Sequence, residues 1–196
     1  QPAKVEATLQ ELKSHGVVES FDGKTATVYR VRQNQHLAAA YYRNTIIHFF
    51  VNRAIAEMAL MHLVEEEAGG KILKKLSKET TRLRDLLKFE FFFSATDDFH
   101  REIRYELADH DVDLEQHLED GDLGAILDRF RPFVAPWVLR PFFEAYRIIG
   151  DIIEENAYRT GIDKDTIRTE ALQLGRQYVL QGLVAKQESV SKVLFE

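Results

Sequence analysis

Three polar side chains recur at every fourth position in a stretch that is otherwise rich in apolar residues. Asn44, His48 and Asn52 would lie along one edge of a continuous helix, because residues four apart are neighbours on a helix surface. Two amides beside an imidazole could hold a phosphate or a carboxylate, whereas the ordinary alternative is that His48 is a hydrogen-bonded interface residue. Unpaired polar groups are costly to bury. We therefore predict that this polar ridge, Asn44, His48 and Asn52, faces a substrate cleft or another domain.

A long helix over residues 35–67 is predicted to carry the polar ridge. Within residues 41–64, at about 100° per residue, apolar side chains fall on two opposite sides, so the helix needs cover on both. Arg53 and Glu57 form an i, i+4 pair along another edge. Charged and amide residues interrupt the apolar run throughout its length, which argues against a transmembrane helix.

Two further histidines lie in the acidic segment 109–122. His110 and His117 stand among aspartates and glutamates, but their spacing matches no known metal motif, so a solvated acidic loop is the better interpretation. The sequence pattern of residues 109–122 does not distinguish a strand from a loop. The sequence shows no glycine-rich phosphate loop, no Gly-x-Ser-x-Gly and no His-Glu-x-x-His, and it contains no cysteine. From the residues alone we predict no catalytic residue, no metal ion and no cofactor.

Composition limits the class of protein. With 45% hydrophobic and 30% charged residues, the 196 residues suffice for one globular domain or two small ones. A net charge of −6 argues against a broad nucleic-acid surface, so we predict no nucleic-acid partner. The chain opens with Gln1-Pro2 and enters a helix almost at once, and we expect it to be a piece of a longer protein.

The predicted fold is mainly α, a helical domain with short β-hairpins in winged-helix-like units at both ends. Residues 1–34 contain a helix and then two strands around a turn at Asp22-Gly23. Residues 35–162 form a helical core. Residues 163–196 repeat the order of the first region, with a helix and then short strands expected within 183–195.

Three more helices are predicted in the central region. One is capped by Ser77 and runs to Phe93, a second follows a cap at Asp97 over residues 98–108, and a third begins near Pro136 or Pro141. The third is strongly amphipathic, and its polar face mixes both signs of charge. A membrane-surface helix would instead show a polar face rich in lysine and arginine, so we predict that this helix packs in the core.

Two motifs resemble a known family. Tyr41-Tyr42-Arg43-Asn44, followed by Ile47-His48, is similar to the Tyr-Tyr-Arg-Asn-x-x-(Ile/Leu)-His signature in the C-terminal part of the membrane-associated glycerol-3-phosphate acyltransferases of bacterial type. Leu87-Lys88-Phe89-Glu90-Phe91-Phe92-Phe93 resembles that family's Leu-Lys-x-Glu-Phe/Leu-Phe-Leu helix at a similar distance downstream. The order of the elements that follow is also similar, so the resemblance spans nearly the whole chain.

The resemblance implies transfer of an acyl group from acyl-CoA or an acyl carrier protein to glycerol 3-phosphate, giving lysophosphatidic acid for phospholipid biosynthesis. The family's catalytic His-x4-Asp motif lies in an upstream acyltransferase domain. One formal match occurs here, His117 to Asp122, but it lacks the apolar strand that precedes the family's histidine, and we interpret it as coincidence. The chain is therefore expected to be a C-terminal domain without activity of its own. The implied partners are the upstream acyltransferase domain, the acyl donor and the membrane surface, with the enzyme bound peripherally on the cytoplasmic side.

The alternative is an interaction or regulatory module built on winged-helix units, with DNA as a candidate partner. The order of elements at both ends favours it, but the charge of the first helix does not. Lys4 and Lys13 are offset there by Glu6 and Glu11, unlike a recognition helix that contacts phosphates.

Overall fold

A computed structural model describes residues 2–66, 70–157, 163–185 and 187–195. The predicted mainly helical fold is confirmed. The described residues form two compact units that divide between Ile46 and Ile47. In chain order the α-helices and strands are α1 Pro2–Ser14, β1 Val18–Asp22, β2 Thr27–Val31, α2 His36–Ile46, α3 Val51–Glu65, α4 Ile72–Leu87, α5 Thr96–His110, α6 Leu114–Asp120, α7 Leu123–Arg129, α8 Ala135–Val138, α9 Arg140–Glu155 and α10 Lys164–Leu180.

In the first unit, α1 packs on an antiparallel hairpin. Strands β1 and β2 pair in the register Val18 to Val31, which confirms the hairpin predicted around Asp22-Gly23. Gly16 follows α1 with a φ of +72°, a left-handed conformation that favours glycine at a helix end. The Tyr29 hydroxyl of β2 donates to the Glu6 carboxylate of α1 at 3.1 Å. The side chains of α1 are thus used within the unit to hold the hairpin.

The predicted continuous helix over residues 35–67 is wrong, because a 3-10 turn at Ile47–Phe49 separates α2 from α3. The sequence around this turn is rich in β-branched and aromatic residues, which are weak helix formers. The backbone N–H of Phe50 bonds to the carbonyl of Ile47, three residues back, at 2.9 Å. Within the described ranges, no single helix is long and apolar enough to cross a membrane; the segments on either side of this turn pass only when taken together as a broken pair.

Helix α3 is the centre of the second unit. It packs against α4, α5, α7 and α8, and Ala54, Ile55, Ala59 and Leu60 are fully buried in that core. A second apolar cluster joins α9 to α10 and to the residues that follow α10. Pro136 and Pro141 lie in the first turns of α8 and α9, so the predicted helix start near these prolines is confirmed.

Helix boundaries in the centre differ from prediction. Helix α4 begins at Ile72 and ends at Leu87, not at Ser77 and Phe93, because Ile72 already belongs to its buried stripe. Phe91 and Phe93 leave the helix to pack edge-on against Phe142 and Phe99. Helix α5 begins one residue before Asp97, with Ala95 in the capping position. The interpretation of the acidic segment as a solvated loop is wrong, because Leu114–Asp120 is helical with Leu114 buried.

The winged-helix-like units are not confirmed. Of the two strands predicted within residues 183–195, residues 183–185 form no regular element and Val193–Phe195 is a 3-10 helix, with a further 3-10 helix at Gln187–Ser189. A strand needs a neighbouring ladder for its backbone groups. Here the Ala185 N–H and the Ser189 hydroxyl donate instead to the Glu144 carboxylate of α9, at 2.9 and 2.7 Å.

Candidate functional site

The polar ridge does not lie on one helix. Asn44 is exposed in α2, where its Oδ1 accepts from the Arg43 guanidinium at 2.8 Å. His48 is exposed in the 3-10 turn, with its ring 4.0 Å from the Phe49 ring. Asn52 lies in the first turn of α3 and donates to the Glu102 carboxylate of α5 at 3.0 Å. The three side chains therefore belong to three elements, and their role in binding stays a prediction.

Arg53 and Glu57 form the main buried polar network of α3. The predicted i, i+4 pair is present, with the Arg53 Nε donating to the Glu57 Oε1 at 3.0 Å, and the Glu57 side chain is completely buried. Glu57 Oε2 also accepts the backbone N–H groups of Val134 and Ala135 at 2.8 and 2.7 Å. These donors stand at the start of α8, where a helix leaves its N–H groups without intrahelical partners and favours negative charge.

The Arg53 guanidinium extends the same network. Its Nη2 donates to the carbonyl oxygens of Phe130 and Pro132 at 2.8 and 3.0 Å. Arginine suits this position because its planar fork can serve several acceptors at once. The network thus fixes the segment between α7 and α8 against α3.

Glu144 plays a similar part on α9. Its Oε1 accepts from the Arg140 Nε at 2.7 Å, besides the bonds to Ala185 and Ser189 already described. By its spacing in the sequence, Glu144 belongs to the polar face of the amphipathic helix predicted after Pro136 or Pro141. Only the fold shows that residues 185–189 cover it, and no local signal could have predicted that.

A cleft of about 360 Å³ lies between the segments that these two carboxylates hold. Its volume falls in the range of small-molecule sites. Met58 and Met61 of α3 contribute flexible apolar surface. Two arginines of α9, seven residues apart, are among the lining residues. The complete lining is Met58, Met61, Ala135, Pro136, Arg140, Phe143, Glu144, Arg147 and Leu183. The cleft has the chemistry to hold an apolar chain that carries an anionic end.

The sequence over its full length matches one family model. Residues 1–196 match the glycerol-3-phosphate acyltransferase C-terminal region. The chain belongs to this family. The resemblance that the two motifs indicated is thereby confirmed.

Three curated relatives of this acyltransferase C-terminal region come from Mycobacterium. The chain is 37% identical over 195 residues to "Putative acyltransferase plsB1" of Mycobacterium bovis and, equally, to the protein of that name in two strains of Mycobacterium tuberculosis. The match covers 96% of this chain but 31% of each relative. The chain thus spans less than a third of the length of the curated relatives it matches. No solved structure matches it.

In this acyltransferase C-terminal region, His117 is paired with a different carboxylate from the one its motif suggests. Its Nδ1 lies 2.7 Å from Oδ2 of Asp111, and Asp111 is buried. Asp122, the formal motif partner, accepts the Ala125 N–H at 2.9 Å and caps α7. The hydrogen bond to Asp111 raises the pKa of His117. The pair joins the end of α5 to α6, which gives His117 a structural role.

A partly buried carboxylate lies near the Arg53 network. Burial raises the pKa of Glu106, against the opposing charges of His110 and Arg53. The His110 ring stacks on Phe130, with the centroids 4.5 Å apart and the planes 9° from parallel. Among the described residues, no group of three or more histidine, aspartate or glutamate side chains could hold a metal ion.

The two family motifs leave aromatic side chains on the surface. Tyr41 and Tyr42 are both largely exposed in α2. In the second motif, Phe89 is 86% exposed and Phe92 is fully exposed, whereas Phe91 and Phe93 pack in the core.

Proposed function

We propose that this chain is the C-terminal region of a glycerol-3-phosphate acyltransferase and that it supports acyl transfer without performing it. The observation that carries the proposal is the family match over residues 1–196. The name of the Mycobacterium relatives, whose length is about three times that of this chain, also says acyltransferase. The reaction would join an acyl group from acyl-CoA or an acyl carrier protein to glycerol 3-phosphate, and the reacting groups would lie in the upstream acyltransferase domain.

The environment of His117 supports a role without catalysis. Acyl transfer to a hydroxyl needs a neutral base that is positioned beside that hydroxyl. His117 is held by Asp111 between α5 and α6, and the cleft that could hold an acyl chain is lined by other elements. We therefore expect that the purified chain does not turn over glycerol 3-phosphate with a long-chain acyl-CoA. Turnover that disappears in the His117→Ala variant would overturn this part of the proposal.

The cleft between α3, α8 and α9 supports a role in holding the acyl group. Its apolar walls suit an alkyl chain, and the guanidinium group of Arg140 suits the phosphate end of the product or of the acyl donor. Arg147, whose Nε also lies 3.8 Å from the Asp151 carboxylate, adds a second positive charge at this side of the cleft. Arg140 uses its Nε–H for Glu144, while a guanidinium carries five N–H donors in all.

Filling the cleft tests this role in the full-length enzyme. We expect Met61→Trp to raise the KM for a long-chain acyl donor roughly tenfold and to change the KM for a short-chain donor much less. The matched control is Leu180→Trp, because Leu180 is exposed and lies outside the cleft. Equal effects on both donors, or equal effects of the two variants, would show that the cleft does not hold the acyl chain.

We also propose that the polar ridge faces another part of the enzyme. Asn44 and His48 are exposed, so replacing either by alanine should weaken full-length activity while leaving the thermal stability of this chain nearly unchanged. Asn52 differs because it donates to Glu102, and its replacement should also lower stability slightly. Unchanged activity in both the Asn44→Ala and His48→Ala enzymes would contradict the proposal.

A further inference from the structure

Positive charge is concentrated in one segment of this acidic chain. Residues 71–88 contain seven lysines and arginines and two acidic residues, a net charge of +5, whereas the whole chain carries −6. Such a separation of charge is typical of a surface that meets an anionic partner.

Helix α4 displays this charge on the face opposite its buried stripe. Ile72, Leu76, Thr80, Leu83 and Leu87 are buried along one side. Lys74, Lys78 and Arg82 follow each other at four-residue intervals on the opposite side, and all three are exposed. We define the basic face as Lys71, Lys74, Lys75, Lys78 and Arg82.

The acidic residues of α4 do not cancel the basic face. The Glu79 carboxylate is 3.6 Å from Arg82, and Asp85 is 4.0 Å from Arg84. Arg84 is turned toward the protein, where its Nη2 donates to the Ser94 carbonyl at 3.2 Å. Both carboxylates therefore lie beside arginines, and the four lysines of the basic face leave an excess of positive charge on this side of α4.

Apolar side chains stand uncovered at the end of the same helix. Leu86 is about half exposed, and Phe89 and Phe92 follow in the turn after α4, both with almost all of their surface accessible. We define Leu86, Phe89 and Phe92 as the aromatic end. A cluster of exposed phenylalanines beside a lysine-rich helix is typical of a membrane-surface element.

We infer that the basic face and the aromatic end of α4 dock on a bilayer that contains anionic lipids. At about 1.5 Å per residue, the 16 residues of α4 extend for about 24 Å along the headgroup layer. The lysines would remain at the anionic headgroups while the phenylalanines enter the boundary of the acyl chains. Exposed phenylalanines favour this partner over an acidic protein, for which the charges alone would suffice. The inference does not depend on the acyl-transfer proposal, because its test needs no enzyme activity.

The test is sedimentation of the purified chain with lipid vesicles. We expect binding to vesicles of phosphatidylcholine that contain a third of phosphatidylglycerol, little binding to phosphatidylcholine alone, and weaker binding as salt is raised. A variant with Lys74→Gln, Lys78→Gln and Arg82→Gln should lose at least tenfold in affinity, because each charge near an anionic surface contributes severalfold. The Phe89→Ser and Phe92→Ser variant should also lose at least tenfold.

Two control variants match these changes elsewhere on the surface. Lys164→Gln, Arg176→Gln and Lys192→Gln remove the same charge, and Leu180→Ser with Val193→Ser removes two exposed apolar side chains. Both controls should bind vesicles as the unchanged chain does. Circular dichroism should show that all variants stay folded, because every changed residue is at the surface.

Three results would overturn the inference. The first is equal binding to both kinds of vesicle. The second is a loss of affinity in the controls that equals the loss in the α4 variants. The third is an absence of vesicle binding together with retention on a polyglutamate column that the lysine and arginine changes abolish, which would instead assign the basic face to an acidic protein.

Discussion

Replacing Glu57 should destabilise the second unit more than any exposed change in α3. In the Glu57→Ala variant, the N–H groups of Val134 and Ala135 lose their acceptor, at about 1–3 kcal/mol each. The same change leaves the half-buried Arg53 without its carboxylate, and breaking a buried ion pair costs about 3–5 kcal/mol. These contributions overlap, so we expect a loss of about 4 kcal/mol in the free energy of unfolding.

The assay is denaturant unfolding followed by tryptophan fluorescence. Trp137 is the only tryptophan in the chain and lies in α8, whose first N–H groups Glu57 binds. Because Trp137 is already 62% exposed in the fold, its fluorescence change is small, and far-ultraviolet circular dichroism should follow the same transition in parallel. The matched control is Glu65→Gln, an exposed carboxylate in the last turn of α3, which should change stability by less than about 0.5 kcal/mol.

The result that would refute this reasoning is a small effect at the buried position. A loss below about 1 kcal/mol for Glu57→Ala would show that water replaces the carboxylate and that apolar contacts alone hold residues 130–135. The Arg53→Met variant separates the two halves of the network. If Glu57 and Arg53 act together, the double variant should lose clearly less than the sum of the single losses.

Two further predictions concern pH and packing. The hydrogen bond to Asp111 raises the folded-state pKa of His117. The pair should therefore stabilise the protein fully below the unfolded pKa of 6.5 and lose that contribution as pH rises through the folded pKa. The melting temperature of His117→Gln should thus lie further below that of the unchanged chain at about pH 6 than at about pH 9. Equal differences at the two pH values would contradict this. A Cβ at Gly175 would lie 2.8 Å from Val190 Cγ1, so Gly175→Ala should destabilise by about 1–3 kcal/mol. Gly150→Ala, with open space around its Cβ, should stabilise the protein by about 0.5–1 kcal/mol. If the melting temperatures of the Gly175→Ala and Gly150→Ala variants shift in the same direction, the packing argument is contradicted.

Local signals predicted local structure well. Asp22 ends β1 and Gly23 begins the loop to β2, and Pro136 and Pro141 lie at the starts of α8 and α9, because these residues restrict the backbone directly. The helix break at 47–49 was missed because the apolar pattern continues through it. Periodicity records which side chains are apolar, and it does not record a change from α-helical to 3-10 bonding.

Long-range polar contacts could not be predicted from the sequence. The Arg53 and Glu57 pair was visible from its spacing, but its acceptors and donors lie 77 to 79 residues further along the chain. For the same reason Glu144 gave no sign that residues 185–189 cover it. The basic face of α4 is different, because its lysines are plain in the sequence. The amphipathic helix that follows Pro136 lacks a lysine-rich polar face, whereas α4 carries one.

The two buried carboxylates make the shape of the cleft depend on polar contacts. Glu57 holds the start of α8, which supplies Ala135 and Pro136 to one wall, and Glu144 holds Ala185, two residues after Leu183. Each carboxylate accepts backbone N–H groups from a segment outside its own helix. Each also accepts a hydrogen bond from an arginine of its own helix. A loss of either carboxylate should therefore move a wall of the cleft before it disturbs the apolar core around Ile55 and Leu60.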